Sequence, residues 1–131
     1  VINARTCTYW LKIGSDKEQL ETALERGNIF RKAGADSVFI PGVEDKDILC
    51  ELVKNINIPL NFLINSKLSD FNIYKESGAK RLTLGSGIAR YVTDSLINTA
   101  LDIKNGDVSK LINNTFTYEN ANKYFERSGN E

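Results

Sequence analysis

Arg5, Asn61, Thr83, Gly85 and Ser86 have the types and placement suited to holding a small anion. A guanidinium presents parallel N–H donors that match a carboxylate or phosphonate edge. A carboxamide or hydroxyl can hold a single oxygen. A glycine–serine turn leading into a helix offers backbone N–H groups to an anion. Each residue also has a plainer use: Arg5 in an ion pair with a buried acid, Asn61 and the similar Asn65 as partners of other buried polar groups, Gly85 as a simple turn. Glu44 reads either as a loop carboxylate or, more simply, as a first-turn helix acid. Histidine is absent, so acid–base chemistry within these residues falls to carboxylates, Lys, Tyr or Cys. Cys7 reads as a small buried thiol, with Arg5 as its obvious activating neighbour were it a nucleophile.

Four strand-then-helix units position these residues. The first is a strand over residues 1–5 and a helix over 17–33, opened by a Ser15–Glu18 capping box and stopped by Gly34. Leu20, Ala23, Leu24, Gly27, Phe30 and Ala33 share one face of that helix. The second is a strand over 37–41 and a helix after Glu44 and Asp45, with Ile48, Leu49, Leu52, Val53 and Ile56 as its apolar stripe. A third strand over 59–64 precedes a short helix over 68–76 ending at Gly78. The fourth strand, 81–84, meets Gly85, Ser86 and Gly87 and then a longer helix, whose expected buried face is Ile88, Tyr91, Val92, Ser95, Leu96, Thr99 and Ile103.

Strands alternating with helices imply parallel pairing through right-handed crossovers, hence an α/β fold. Three of the strands alternate apolar and polar residues, where a doubly wound sheet would show continuous apolar runs. Arg5 falls on the polar side of the first strand, Asn61 and Asn65 on that of the third, and Thr83 on that of the fourth. A (β/α)8 barrel accounts for this, with outer faces on helices and inner faces lining a polar mouth. A complete barrel takes about 250 residues, so residues 1–104 are expected to be its C-terminal half. Residues 105–131 turn Asn-rich and are expected to be an extension, helical over about 118–127, that docks by its aromatics.

Seventeen basic residues balance seventeen acidic ones, which gives no field for nucleic acid or anionic lipid. No apolar run approaches the roughly 20 residues that span a bilayer. Two cysteines without CxxC spacing fit a reducing compartment, so the cytoplasm is the expected location. The absence of methionine leads to the expectation that the natural start lies upstream.

The string Val1-Ile-Asn-Ala-Arg-Thr6 with Tyr9-Trp10 resembles the fifth-strand signature of the isocitrate lyase and phosphoenolpyruvate mutase superfamily. Ala23 to Gly27, Ala33 to Asp36, Phe39 to Gly42, Pro59 to Asn61 and Leu84 to Arg90 resemble its later landmarks in the same order. That resemblance implies a magnesium-dependent barrel that cleaves or rearranges a C–C or P–C bond through the enolate of a 2-oxo acid. Arg5 matches the arginine that contacts the substrate's acidic group. The metal ligands would belong to the half-barrel preceding these residues. Cys7 departs from the usual Asp, and Pro41 stands where relatives carry a catalytic Glu or His, which puts specificity and even activity in doubt. The resemblance further implies a homo-oligomer that exchanges its last barrel helix, while four strands with an unpaired edge on each side lead to the expectation that another chain or an excised first half completes the barrel. Two rivals stay open: a phosphate-binding barrel using Gly85 and Ser86, and a degenerate barrel serving as an oligomerising or binding module.

Overall fold

The structure, a computed structural model, describes residues 1–114 and 116–126. It runs β1 (Asn3–Arg5), α1 (Asp16–Lys32), β2 (Ser37–Ile40), α2 (Lys46–Asn55), β3 (Leu60–Leu63), α3 (Phe71–Ser77), β4 (Arg81–Thr83), α4 (Gly87–Lys104), α5 (Ser109–Ile112) and α6 (Tyr118–Lys123). The chain divides into two compact units, residues 1–85 and 86–131.

In the first unit all strand pairs are parallel and the spatial order is β1-β2-β3-β4. Register sorts the side chains onto two faces. Ala4 lies opposite Val38, Val38 opposite Leu60, and Ile40, Phe62 and Leu82 form the next row. Val38, Ile40, Leu60 and Phe62 are buried there against Ala23 of α1, Leu49 and Leu52 of α2, and Tyr74 of α3. The three successive crossovers thus place α1, α2 and α3 on one side of the sheet. A doubly wound sheet would carry helices on both sides, whereas sequential order with one covered face is the pattern of a partial barrel wall.

Local chemistry explains the elements. Ser15 and Glu18 close the expected capping box, Ser15 Oγ accepting from Glu18 N and Glu18 accepting from Ser15 N at 2.8 Å. Gly27 sits mid-helix because α2 comes close: a Cβ there would lie 2.5 Å from the Ile56 side chain. Asp45 caps α2, accepting from Asp47 N at 2.8 Å and Ile48 N at 3.0 Å. Glu44 therefore precedes the cap, and its reading as a first-turn helix acid is corrected. The third helix starts at Phe71, not residue 68, because Asp70 accepts from Asn72 N and caps it there. Leu68 is instead buried in the core. Strand ends are shorter than expected by one or two residues, as frayed termini commonly are.

The second unit corrects two expectations. The apolar stripe of α4 exists but is uncovered: Ile88 is 63% exposed, Val92 57% and Leu96 68%, and no described residue of α4 is buried. Periodicity reports which face favours burial, not whether an element is there to cover it. The extension's aromatics are likewise exposed, and Phe116 meets Tyr124 instead, their ring centroids 6.1 Å apart. The last helix ends at Lys123, and the expected end at residue 127 lies outside the described residues.

Candidate functional site

The face of the sheet opposite the helix-covered core is polar. Arg5, Phe39, Asn61 and Arg81 occupy one register row across all four strands. Arg5 is exposed, and its Cζ lies 5.4 Å from the Phe39 ring centroid, within reach of a cation–π contact. Its Nε–H donates to Cys7 Sγ at 3.0 Å. Among the described residues no carboxylate pairs with Arg5, so the structural ion pair that competed with the binding reading is not there. An unpaired guanidinium facing an open surface is free to take an anion.

Asn61 and Thr83 come together: the Thr83 hydroxyl donates to Asn61 Oδ1 at 2.9 Å. Asn61 is 1% exposed, and that bond sets its amide so that the NH2 end remains to donate. Asn65 resolves as structural. Its Nδ2 donates to Val43 O at 2.8 Å, and its Oδ1 accepts from Lys67 N and Leu68 N, holding the loop after β3. Gly85 has φ +57, so the turn itself calls for glycine. Ser86 opens the second unit and makes no side-chain capping bond.

Beyond the strands' C-terminal ends, the loops after β1, β2 and β3 enclose an open cleft of about 550 Å³. Tyr9, Trp10, Lys12, Asp16, Glu44, Asp45 and Lys67 line it, and none of the five residues picked from sequence does. Gly42 joins two of these loops. With φ +90, a Cβ on it would lie 2.6 Å from the Trp10 backbone nitrogen. Glu44 pairs with Lys67 at 2.7 Å, and that bond holds its carboxyl below the usual range and raises Lys67. The buried Tyr9 phenol is pushed up to about 12, first by burial and then by Asp16, Glu51 and Asp45. Tyr9 therefore stays protonated near neutrality and cannot serve as a base. Its hydroxyl and those of Thr6 and Thr8 are buried without a hydrogen-bond partner among the described residues.

Phe39, Arg81 and Tyr9 escaped the sequence reading. The alternation that put Arg5 and Asn61 on one face also put Arg81 there, so that signal was present. The stacking of Phe39 under Arg5 depends on cross-strand register, which sequence spacing does not supply. Pro41 is buried, in keeping with a packing role and no catalytic one. Among the described residues no three Asp, Glu or Cys side chains converge as a metal site. No described helix is long and apolar enough to cross a membrane.

Comparison with known proteins agrees with this architecture. Two uncharacterized proteins of Mycobacterium tuberculosis, from different strains, are each 38% identical over 85 residues, 65% of this chain and 31% of theirs. A crystal structure of a candidate phosphonomutase from Burkholderia cenocepacia superimposes with a TM-score of 0.70 at 26% identity, over 80% of this chain and 42% of that one. A candidate lyase/mutase from the same organism shares the fold, with a TM-score of 0.79 at 21% identity, over 94% of this chain and 44% of that one. The chain thus spans about a third of the curated relatives it matches and less than half of these solved structures. The model of the phosphoenolpyruvate phosphomutase family matches residues 1–104, and the chain belongs to that family.

Proposed function

We propose that this chain supplies the C-terminal half of a (β/α)8-barrel enzyme that cleaves or rearranges a C–C or P–C bond in a small 2-oxo acid, 2-hydroxy acid or phosphonate through an enolate. The observation that carries this reading is the Arg5 guanidinium, met by no carboxylate among the described residues, on the polar face of a parallel sheet. In this reading Arg5 clamps the substrate's carboxylate or phosphonate, and the Asn61 amide, oriented by Thr83, donates to a substrate oxygen. Thr83, Gly85 and Ser86 contribute binding and no proton transfer. Mg2+ is the expected cofactor, with its ligands outside residues 1–131. The proposed assembly is a cytoplasmic homo-oligomer that exchanges its last barrel helix, and the rest of the barrel comes from another half or a second chain.

The test is kcat/KM of the assembled enzyme with Mg2+ across a panel of 2-oxo acids and phosphonates. Removing a charged hydrogen-bond partner from a desolvated site costs on the order of 2–4 kcal/mol, or roughly two to three decades of rate. Arg5→Ala should lose most of that and Arg5→Lys part of it, because ammonium offers no fork. Full activity in Arg5→Ala would refute the clamp.

The exposed stripe of α4 favours a second reading, a non-catalytic barrel that oligomerises or binds ligand. Assembly without turnover on any member of the panel would select it.

A further inference from the structure

We infer that Cys7 is a positioning residue for Arg5: its sulfur turns the guanidinium so that the terminal N–H groups meet an anion on the open face of the sheet. The inference rests on the reading of Arg5 as the clamp. An arginine side chain has many rotamers, so an exposed one needs external contacts to hold a single pose. Two are present. Phe39 lies 5.4 Å beneath Cζ and restrains the plane of the guanidinium, but stacking leaves rotation within that plane free. The Nε–H bond to Cys7 Sγ at 3.0 Å removes that freedom.

The sulfur is itself well placed to do so. Thr6 N donates to Phe39 O at 3.1 Å, which keeps the chain beside β2 just past the end of β1. The Cys7 carbonyl accepts from Leu11 N at 2.9 Å, which anchors the following turn. In extended chain, residues two apart share a side, so a side chain at position 7 returns to the face that carries Arg5. One consequence is specific. A guanidinium can offer two parallel N–H bonds along either its Nε edge or its terminal edge. Sulfur on Nε removes the first, so an incoming carboxylate must meet the two Nη groups end-on. Neither side chain belongs to the buried core, so removing the sulfur should leave the fold intact.

Oxalate serves as the probe, titrated into the 131-residue chain, with Arg Nε–H exchange followed by nitrogen-15 NMR on the same samples and thermal melts as the fold control. In the unaltered chain the Arg5 Nε–H should exchange slowly. Cys7→Ala should leave the melt in place, speed that exchange, and weaken oxalate binding by about three- to tenfold, the span of one ordinary hydrogen bond. Cys7→Ser, whose oxygen can still accept, should restore much of both. If Arg5→Ala weakens oxalate but Cys7→Ala changes neither exchange nor affinity, the positioning role is wrong while the clamp stands. Unchanged affinity in Arg5→Ala overturns the clamp, and the positioning role with it.

Discussion

Arg5 and Tyr9 show how nearby residues acquire different capacities from their surroundings. Among the described residues Arg5 meets no carboxylate and is held by sulfur and an aromatic face. Tyr9 is buried near three carboxylates and held as a neutral phenol, with its ionisation pushed up to about 12. The sign of the pH dependence follows. Below about pH 10 the phenol is protonated in both folded and unfolded chains and adds no slope. From pH 10 to about 12 the unfolded chain ionises first and binds fewer protons than the folded one, so stability falls as pH rises through that window. Tyr9→Phe should flatten this limb and leave stability at pH 7 unchanged or higher, because among the described residues the buried hydroxyl has no partner to lose. Urea midpoints between pH 7 and 12 would measure it, and an identical alkaline limb in the variant would show that Tyr9 is not the titrating group.

At the scale of elements, short polar contacts decide where each helix begins and how the loops meet. Asp45 satisfies two amides at the start of α2, so Asp45→Ala should lower stability by about 1 kcal/mol while Asp45→Asn stays close to the unaltered chain, since both residues cap well. Gly42→Ala should cost about 2 kcal/mol or more, through positive φ and the approach of the Trp10 backbone together. Equal denaturation midpoints for Gly42→Ala and the unaltered chain would remove the close approach. These features also mark what was legible in sequence. The capping box at Ser15 and Glu18 follows from its S-x-x-E spacing, and the apolar stripe of α2 and the polar faces of Arg5, Asn61 and Thr83 follow from periods of 3.6 and 2. The cleft between the loops did not, because Trp10, Glu44 and Lys67 are brought together by loop conformations that no periodicity encodes. Asn65 was ambiguous for a related reason: the same amide suits a ligand or a turn, and only its three bonds within the loop decide.

For the molecule as a whole, the unsatisfied surface is the informative part. The sheet has one face covered by α1, α2 and α3, one polar face, and free edges at β1 and β4. Exposed strand edges readily pair with other chains unless covered. The second unit adds a helix with Ile88, Tyr91, Val92 and Leu96, neighbours on one face, all more than half exposed. Contiguous apolar patches of this kind mark association sites in soluble proteins. The chain should therefore self-associate or bind a complementary half-barrel, and its mass in solution by size exclusion with light scattering should exceed the 14.7 kDa of one copy. The two surfaces can be separated. Leu96→Glu places a charge in the middle of the α4 stripe without touching the first unit's core, so it should weaken association through α4 while α1, α2 and α3 keep their melting behaviour. Leu84→Pro, just past β4, removes an N–H on the outer side of that edge, since the Thr83 carbonyl turns inward to accept from Ile64 N, and it leaves the helix stripe intact. Loss of association in the first variant alone would assign it to the helix, and loss in the second alone to the strand edge. A well-folded monomer of the unaltered chain at micromolar concentration would refute completion by a second body altogether.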